Sequence, residues 1–338
     1  MPINALKLMQ STLEKPSIDI NLFFIERLIK PEIKKSAKII DKYNFAARTV
    51  DLSKEINQYF LDVATQQIKS TISKKDLTTE EYSVVSDDLN EKLYTYALNN
   101  ALSFSDIVLN QLNMDTAKSI TSLKDIKNDL WAYCLKFSDG ENTFYTFRKM
   151  SQGKVATDEP QKLSDRLSSF FDSTTSELKL MDHDAVNFDN KIDCFYASGI
   201  FYILRKSSFE QIVGLEEEFK VAADSVIKKI LETNLIEGME HLQKELLEKR
   251  SVMKALSNIA KKGTHLGFNG GEIEKMKAVL KAFEGEDLKT TKEGKILLEN
   301  SSDVTYLLKL LNDYYKQGMV SGKYYGSNSG HVIEAKVG

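Results

Sequence analysis

The apolar residues of this chain change their period near residue 206, and that change limits the fold more than any other feature. Before it, apolar residues come in short dense runs bounded by Pro, Gly or Ser-Asp clusters, as buried strands require. After it, Phe209, Ile212, Val213, Phe219, Ala223, Val226, Ile227 and Ile230 recur at helical spacing. The expected class is therefore α+β: a mixed sheet-containing N-terminal and central part, then a helical C-terminal lobe. The expected divisions are an α/β part over 1–128, a β-rich part over 129–206 belonging to the same sheet-containing unit, and a helical lobe over 207–338.

Within the first part, residues 18–26 read as a strand between Pro16 and Pro31, and 31–43 as a short helix. Residues 45–51 read as a strand, 53–73 as a helix capped by Ser53, 82–86 as a strand and 88–112 as a long amphipathic helix. Residues 130–137 and 143–148 form a hairpin around Ser138-Asp139-Gly140. A loop over 153–160, a helix over 162–171 and strands over 178–189 and 191–197 follow. Ser198-Gly199 turns the chain into a strand over 200–205. The helical lobe reads as helices over 207–231, 237–262, 272–284, 293–300 and 303–316, with a break at 263–271.

Hydrophobic residues make up 42 % of the 338 and charged residues 28 %, a soluble intracellular balance. Met1 to Lys15 lacks an apolar signal core, and no run approaches the roughly 18 apolar residues of a membrane span. Direct membrane insertion is not expected. Cys134 and Cys194 sit in apolar runs and read as two buried reduced thiols.

The formal charge of −3 excludes a uniformly basic nucleic-acid binder, but it hides an asymmetry. Residues 241–338 carry 16 Lys and Arg against 12 Asp and Glu, so the preceding residues are net acidic. Lys244, Lys249, Arg250, Lys254, Lys261 and Lys262 form the densest basic stretch. At 100° per residue, Arg250, Lys254 and Lys261 fall on one helix flank beside the apolar stripe. Such a row suits a phosphate backbone; it equally suits a solvated helix face with snorkelling lysines.

No catalytic constellation is visible. The stretch Gly263 to Gly271 precedes a helix but has no following Lys-Ser/Thr, so it reads as a helix-breaking loop before a phosphate cradle. The four histidines are dispersed, and Met181-Asp182-His183-Asp184 has no partner cluster, so no metal site and no cofactor are expected. A carboxylate-and-lysine nuclease needs two acids on adjacent strands. Asp193 is well placed, but Leu204 stands where the second acid would be.

The landmarks Leu130-Trp131-Ala132-Tyr133, Phe188 to Asp193, Gly199 to Ile203, Ser208 to Ile212, Leu308 to Asp313 and Ser321 to Tyr325 are ordered as in a known family. The chain resembles the KwaB proteins of the bacterial Kiwa anti-phage defence system. The resemblance implies double-stranded DNA as a partner, self-association as a homodimer, and a KwaA-like membrane protein that recruits the chain from the cytoplasm to the inner membrane. It also implies suppression of phage DNA replication. It carries no catalytic residues, so Lys244 to Lys262 stand as the candidate DNA-binding residues. A nuclease whose ligands converge from distant positions, or a non-catalytic docking scaffold, are the alternatives.

Overall fold

A computed structural model describes residues 2–30, 43–75, 77–84, 92–98, 102–112, 117–150, 155–156, 169–180, 184–318, 322 and 324–326. The described residues divide into two compact units. One comprises residues up to 214, apart from Ser83 and Val84; the other takes those two and everything from Leu215. The class is α+β, as the change of period predicts.

The first unit is built on a mixed nine-stranded sheet. Its strands are β1 (Asp19–Ile29), β2 (Tyr43–Val50), β3 (Thr78–Glu81), β4 (Lys92–Ala97), β5 (Lys118–Ser119), β6 (Leu130–Ser138) and β7 (Thr143–Lys149). Two ribbons come next in sequence: β8 (Val155–Ala156) with β11 (Ala185–Val186), and β9 (Ser169–Asp172) with β10 (Glu177–Leu180). The sheet is completed by β12 (Cys194–Ala197) and β13 (Ile200–Ile203), in the order β3-β4-β13-β12-β7-β6-β1-β2-β5. Among the described residues of this sheet only the two outermost pairs, β3 with β4 and β2 with β5, are parallel.

Both faces of this sheet are buried, which explains why its central strands read as dense apolar runs rather than clean alternations. On one face lie α1 (Pro2–Leu13) and α2 (Lys54–Ile72), whose Leu6, Met9, Phe60, Ala64 and Ile68 pack with Leu22, Phe24, Tyr133, Leu135 and Phe137 of the strands. Ser53 caps α2 by accepting from the Ile56 amide. The other face carries α3 (Ser103–Asp106), which runs into a π-helical stretch Ile107–Leu112, and α4 (Lys206–Val213). There Phe104, Phe147, Phe201 and Phe209 form a chain of rings with centroids 5.3–5.7 Å apart. Cys134 and Cys194 are fully buried and unbridged, as expected, and burial pushes both thiols well above their usual range.

Several expected elements are corrected. The helix over 88–112 is instead strand β4 followed by α3 and the π-helical stretch; residues 85–91 and 99–101 lie outside the described residues. Leu93 and Tyr96 do sit at helical spacing, but β4 pairs with β13, Tyr94 opposite Ile203 and Tyr96 opposite Phe201. Cross-strand packing of tyrosines overrides a short-range period. The strand near 82–86 lies earlier, at β3. Of the helix over 162–171, residues 162–168 lie outside the described residues, while 169–172 is strand β9. Of the loop over 153–160 only Val155 and Ala156 are described, and they form β8; of the strand over 178–189, residues 181–183 lie outside the described residues and strands β10 and β11 lie on either side of them. The helix over 31–43 lies outside the described residues except at Tyr43, which begins β2. The N-terminal helix α1 was not expected.

The second unit is helical: α5 (Glu216–Thr233), α6 (Met239–Glu248), α7 (Arg250–Lys262), α8 (Gly270–Glu284) and α9 (Ser301–Leu311). The single helices expected over 207–231 and 237–262 are each two. Gly214 ends α4 in the left-handed conformation, φ 70°, and extended Lys249 separates α6 from α7. The helix over 293–300 is instead β15 (Ile296–Leu297), parallel to β14 (Ile236–Glu237). The last expected helix, over 303–316, starts at Ser301, where an Asn300 capping box opens α9, and gives way to β16 (Tyr315–Gln317), paired with β17 (Tyr324–Gly326).

Candidate functional site

Five of the six basic residues singled out by sequence fall on two helices, and the sixth lies between them. Lys244 is exposed on α6; Lys249 lies at the break; Arg250, Lys254, Lys261 and Lys262 are on α7. Arg250, Lys254 and Lys261 keep their common flank, because α7 alone carries all three. Several of the six side chains are engaged with the protein. Lys249 Nζ donates to Glu245 Oε1 at 2.9 Å and Ser301 Oγ at 2.8 Å. Lys262 donates to the Asn312 carbonyl. The Arg250 and Lys254 cations lie 5.8 and 5.5 Å from the centre of the Phe219 ring. The Gly263–Gly271 stretch is a turn in which Asn269 Oδ1 takes the Gly271 amide at the head of α8.

A second cationic cluster, which sequence spacing does not reveal, lies in the first unit. It begins with a β-bulge. In the β1–β6 ladder Ile25 faces Ala132, but Glu26 faces Leu130, so Trp131 is the extra residue. Regular alternation would put Trp131 on the face of Tyr133, whose ring packs 6.0 Å from Phe60 of α2. The bulge instead turns it towards α4, where its Nε1–H donates to the Gln211 carbonyl at 2.8 Å.

Two cations meet the turned indole. The Arg27 guanidinium carbon is 3.2 Å from the Trp131 ring centroid and 4.1 Å from that of Tyr43. Lys149 Nζ is 3.6 Å from the Trp131 centroid. The strands explain the convergence: Arg27 and Ile29 lie near the end of β1, Tyr43 faces Ile29 across β2, and Lys149 ends β7 opposite Ala132. With Asp129, Ser208 and Gln211 these residues line a cleft of about 570 Å³.

Beneath the cleft an ion cluster fixes the end of β7. Arg148 donates to both oxygens of Asp189, at 2.9 and 2.8 Å, and to Asp193 Oδ1 at 2.8 Å. Fully buried Asp193 also accepts from the Lys149 amide at 2.7 Å. Burial raises its pKa against the pull of these partners. The carboxylate considered for a nuclease is thus bound within the protein, and Leu204 packs against the core and donates its amide to the Asp193 carbonyl. Burial, then the charge of Arg27, brings the Lys149 ammonium down to about 8. The cleft therefore holds two mutually repelling cations beside aromatic faces, an arrangement suited to an anion that carries a flat ring.

Among the described residues no group of three or more His, Cys, Asp or Glu is arranged to hold a metal ion. No helix among them is long and apolar enough to cross a membrane.

The family model of Kiwa KwaB-like proteins matches residues 127–320, more than half of the chain. This chain belongs to the KwaB-like family. Membership places it in Kiwa anti-phage defence. No curated protein and no solved structure matches it. The match includes Trp131 and Lys149 of the cleft and all six basic residues between Lys244 and Lys262; Arg27 and Tyr43 lie before it. Trp131 was visible beforehand as a family landmark, whereas Arg27, Tyr43 and Lys149 had no sequence signal joining them to it.

Proposed function

We propose that this KwaB-like chain is a DNA-binding effector that grips DNA through its phosphates and blocks phage DNA replication. It acts with a KwaA-like membrane protein, which recruits it to the inner membrane, and it self-associates as a homodimer. The observation that supports DNA binding best is the pair Arg27 and Lys149, both held against the Trp131 ring in the lining of one cleft. Two cations kept together in a partly buried place repel each other, and a phosphate relieves that repulsion. The Arg250, Lys254 and Lys261 flank of α7 is a second phosphate contact in this reading. No base-reading motif accompanies either surface, so binding has little sequence preference.

Fluorescence anisotropy with a labelled duplex, at low and moderate salt, tests the reading. Micromolar or tighter binding that weakens steeply with salt is expected. Lack of binding at low salt overturns it. Arg250→Glu with Lys254→Glu and Lys261→Glu should flatten the salt slope; an unchanged slope removes α7 from the interface. Co-purification with the product of a neighbouring membrane-protein gene tests the partnership.

A further inference from the structure

The cleft contains more than phosphate binding needs. Duplex DNA presents phosphates outside and base edges in its grooves, while its base faces are already stacked on one another. Cations alone would serve it. Here the cations are interleaved with two rings, Tyr43 and Trp131, around Arg27. A flat guanidinium among aromatic rings is a platform for stacking, and stacking serves only a base whose face is free.

The bulge sharpens this point. Trp131 leaves the apolar face of the sheet, where Tyr133 is buried, and its indole is half-buried in the cleft. Its Nε1–H is fixed by Gln211, so the ring is held in place before any ligand arrives. The cleft, at about 570 Å³, falls within the roughly 300–1,000 Å³ range of small-ligand sites, suited to a few atoms of strand rather than a double helix laid across a surface.

Resting on the DNA-binding reading, we propose that the Arg27–Tyr43–Trp131–Lys149 cleft takes an unpaired stretch of DNA. A base stacks on the Tyr43–Arg27–Trp131 platform, and its phosphate lies between Arg27 and Lys149. Such stretches are exposed where DNA is being replicated, which fits an effector that stops replication. Stacking tolerates any base, so the site distinguishes strandedness rather than sequence.

Trp131 is the only tryptophan in the chain, so its emission reports on this cleft alone. The full chain is titrated with a 20-nucleotide oligothymidylate, a 20-base-pair duplex and thymidine monophosphate, following anisotropy and Trp131 emission together. The expected result is quenching by the single strand at lower concentration than by the monophosphate, and duplex binding without comparable quenching. Tyr43→Leu should weaken the single strand about tenfold and leave the duplex within about twofold. Equal quenching by duplex and single strand overturns the inference, as does single-strand binding that leaves emission unchanged. Quenching by the monophosphate at the same concentration of nucleotide makes the cleft a mononucleotide site and also overturns it. Failure of every DNA to bind overturns the underlying reading instead.

Discussion

The Arg27 guanidinium lies 3.2 Å from the centre of the Trp131 ring, although the two residues sit on different strands and far apart in sequence. Its charge also reaches Lys149, which meets the same ring, and lowers the ammonium's proton affinity. Arg27→Gln should therefore raise the Lys149 pKa from about 8 towards its ordinary 10.5, stopping short because burial is the larger cause. A ¹³C-dimethyl-lysine titration followed by nuclear magnetic resonance, with Lys149→Arg to identify the signal, measures this. An unchanged midpoint would show that the two cations do not sense each other.

DNA affinity should fall as pH rises through about 8, because Lys149 loses its charge there while Arg27 and Arg148 keep theirs. Bound phosphate favours the charged lysine, so binding takes up protons near that pH. Anisotropy at fixed salt between pH 7 and 9.5 follows the effect, which Lys149→Arg should abolish. The stability consequence has the opposite sign. Between about 8 and 10.5 the unfolded chain holds the Lys149 proton and the folded chain has lost it, so stability rises with pH across that window. Urea midpoints of the native chain, compared with Lys149→Met, should show that rise only in the native chain.

Removing one member of the buried ion cluster should be costly. Asp193 is fully buried and receives the Arg148 guanidinium and the Lys149 amide. Asp193→Ala leaves both donors short of an acceptor and should destabilise the fold by about 3 kcal/mol, measured by urea denaturation. A loss below about 1 kcal/mol would mean that Asp189 holds Arg148 unaided.

Gly238 has φ +81°, and a Cβ there would lie 2.0 Å from the Leu298 carbonyl oxygen. The backbones touch because β14 and β15 pair immediately beside this residue. Gly238→Ala combines strain with a clash against backbone and should lower stability by about 2–4 kcal/mol. Thermal denaturation tests it; the expectation fails if the midpoint is unchanged.

Sequence alone determined the elements whose signals are local. Ser53 places the start of α2, Ser138-Asp139-Gly140 sets the β6–β7 hairpin, and the change of period near 206 separates sheet from helices. It also supplied the family landmarks, Trp131 among them. Tertiary structure decided what depends on distant partners. Lys92–Ala97 is a strand because β13 lies beside it, and 296–297 is a strand because 236–237 does. The candidate cleft belongs to this second kind. One extra residue against β1 turns Trp131 across the sheet, and strand order then brings Arg27 and Lys149 to the same ring. A bulge is a mismatch between two strands, so no spacing within either strand contains it.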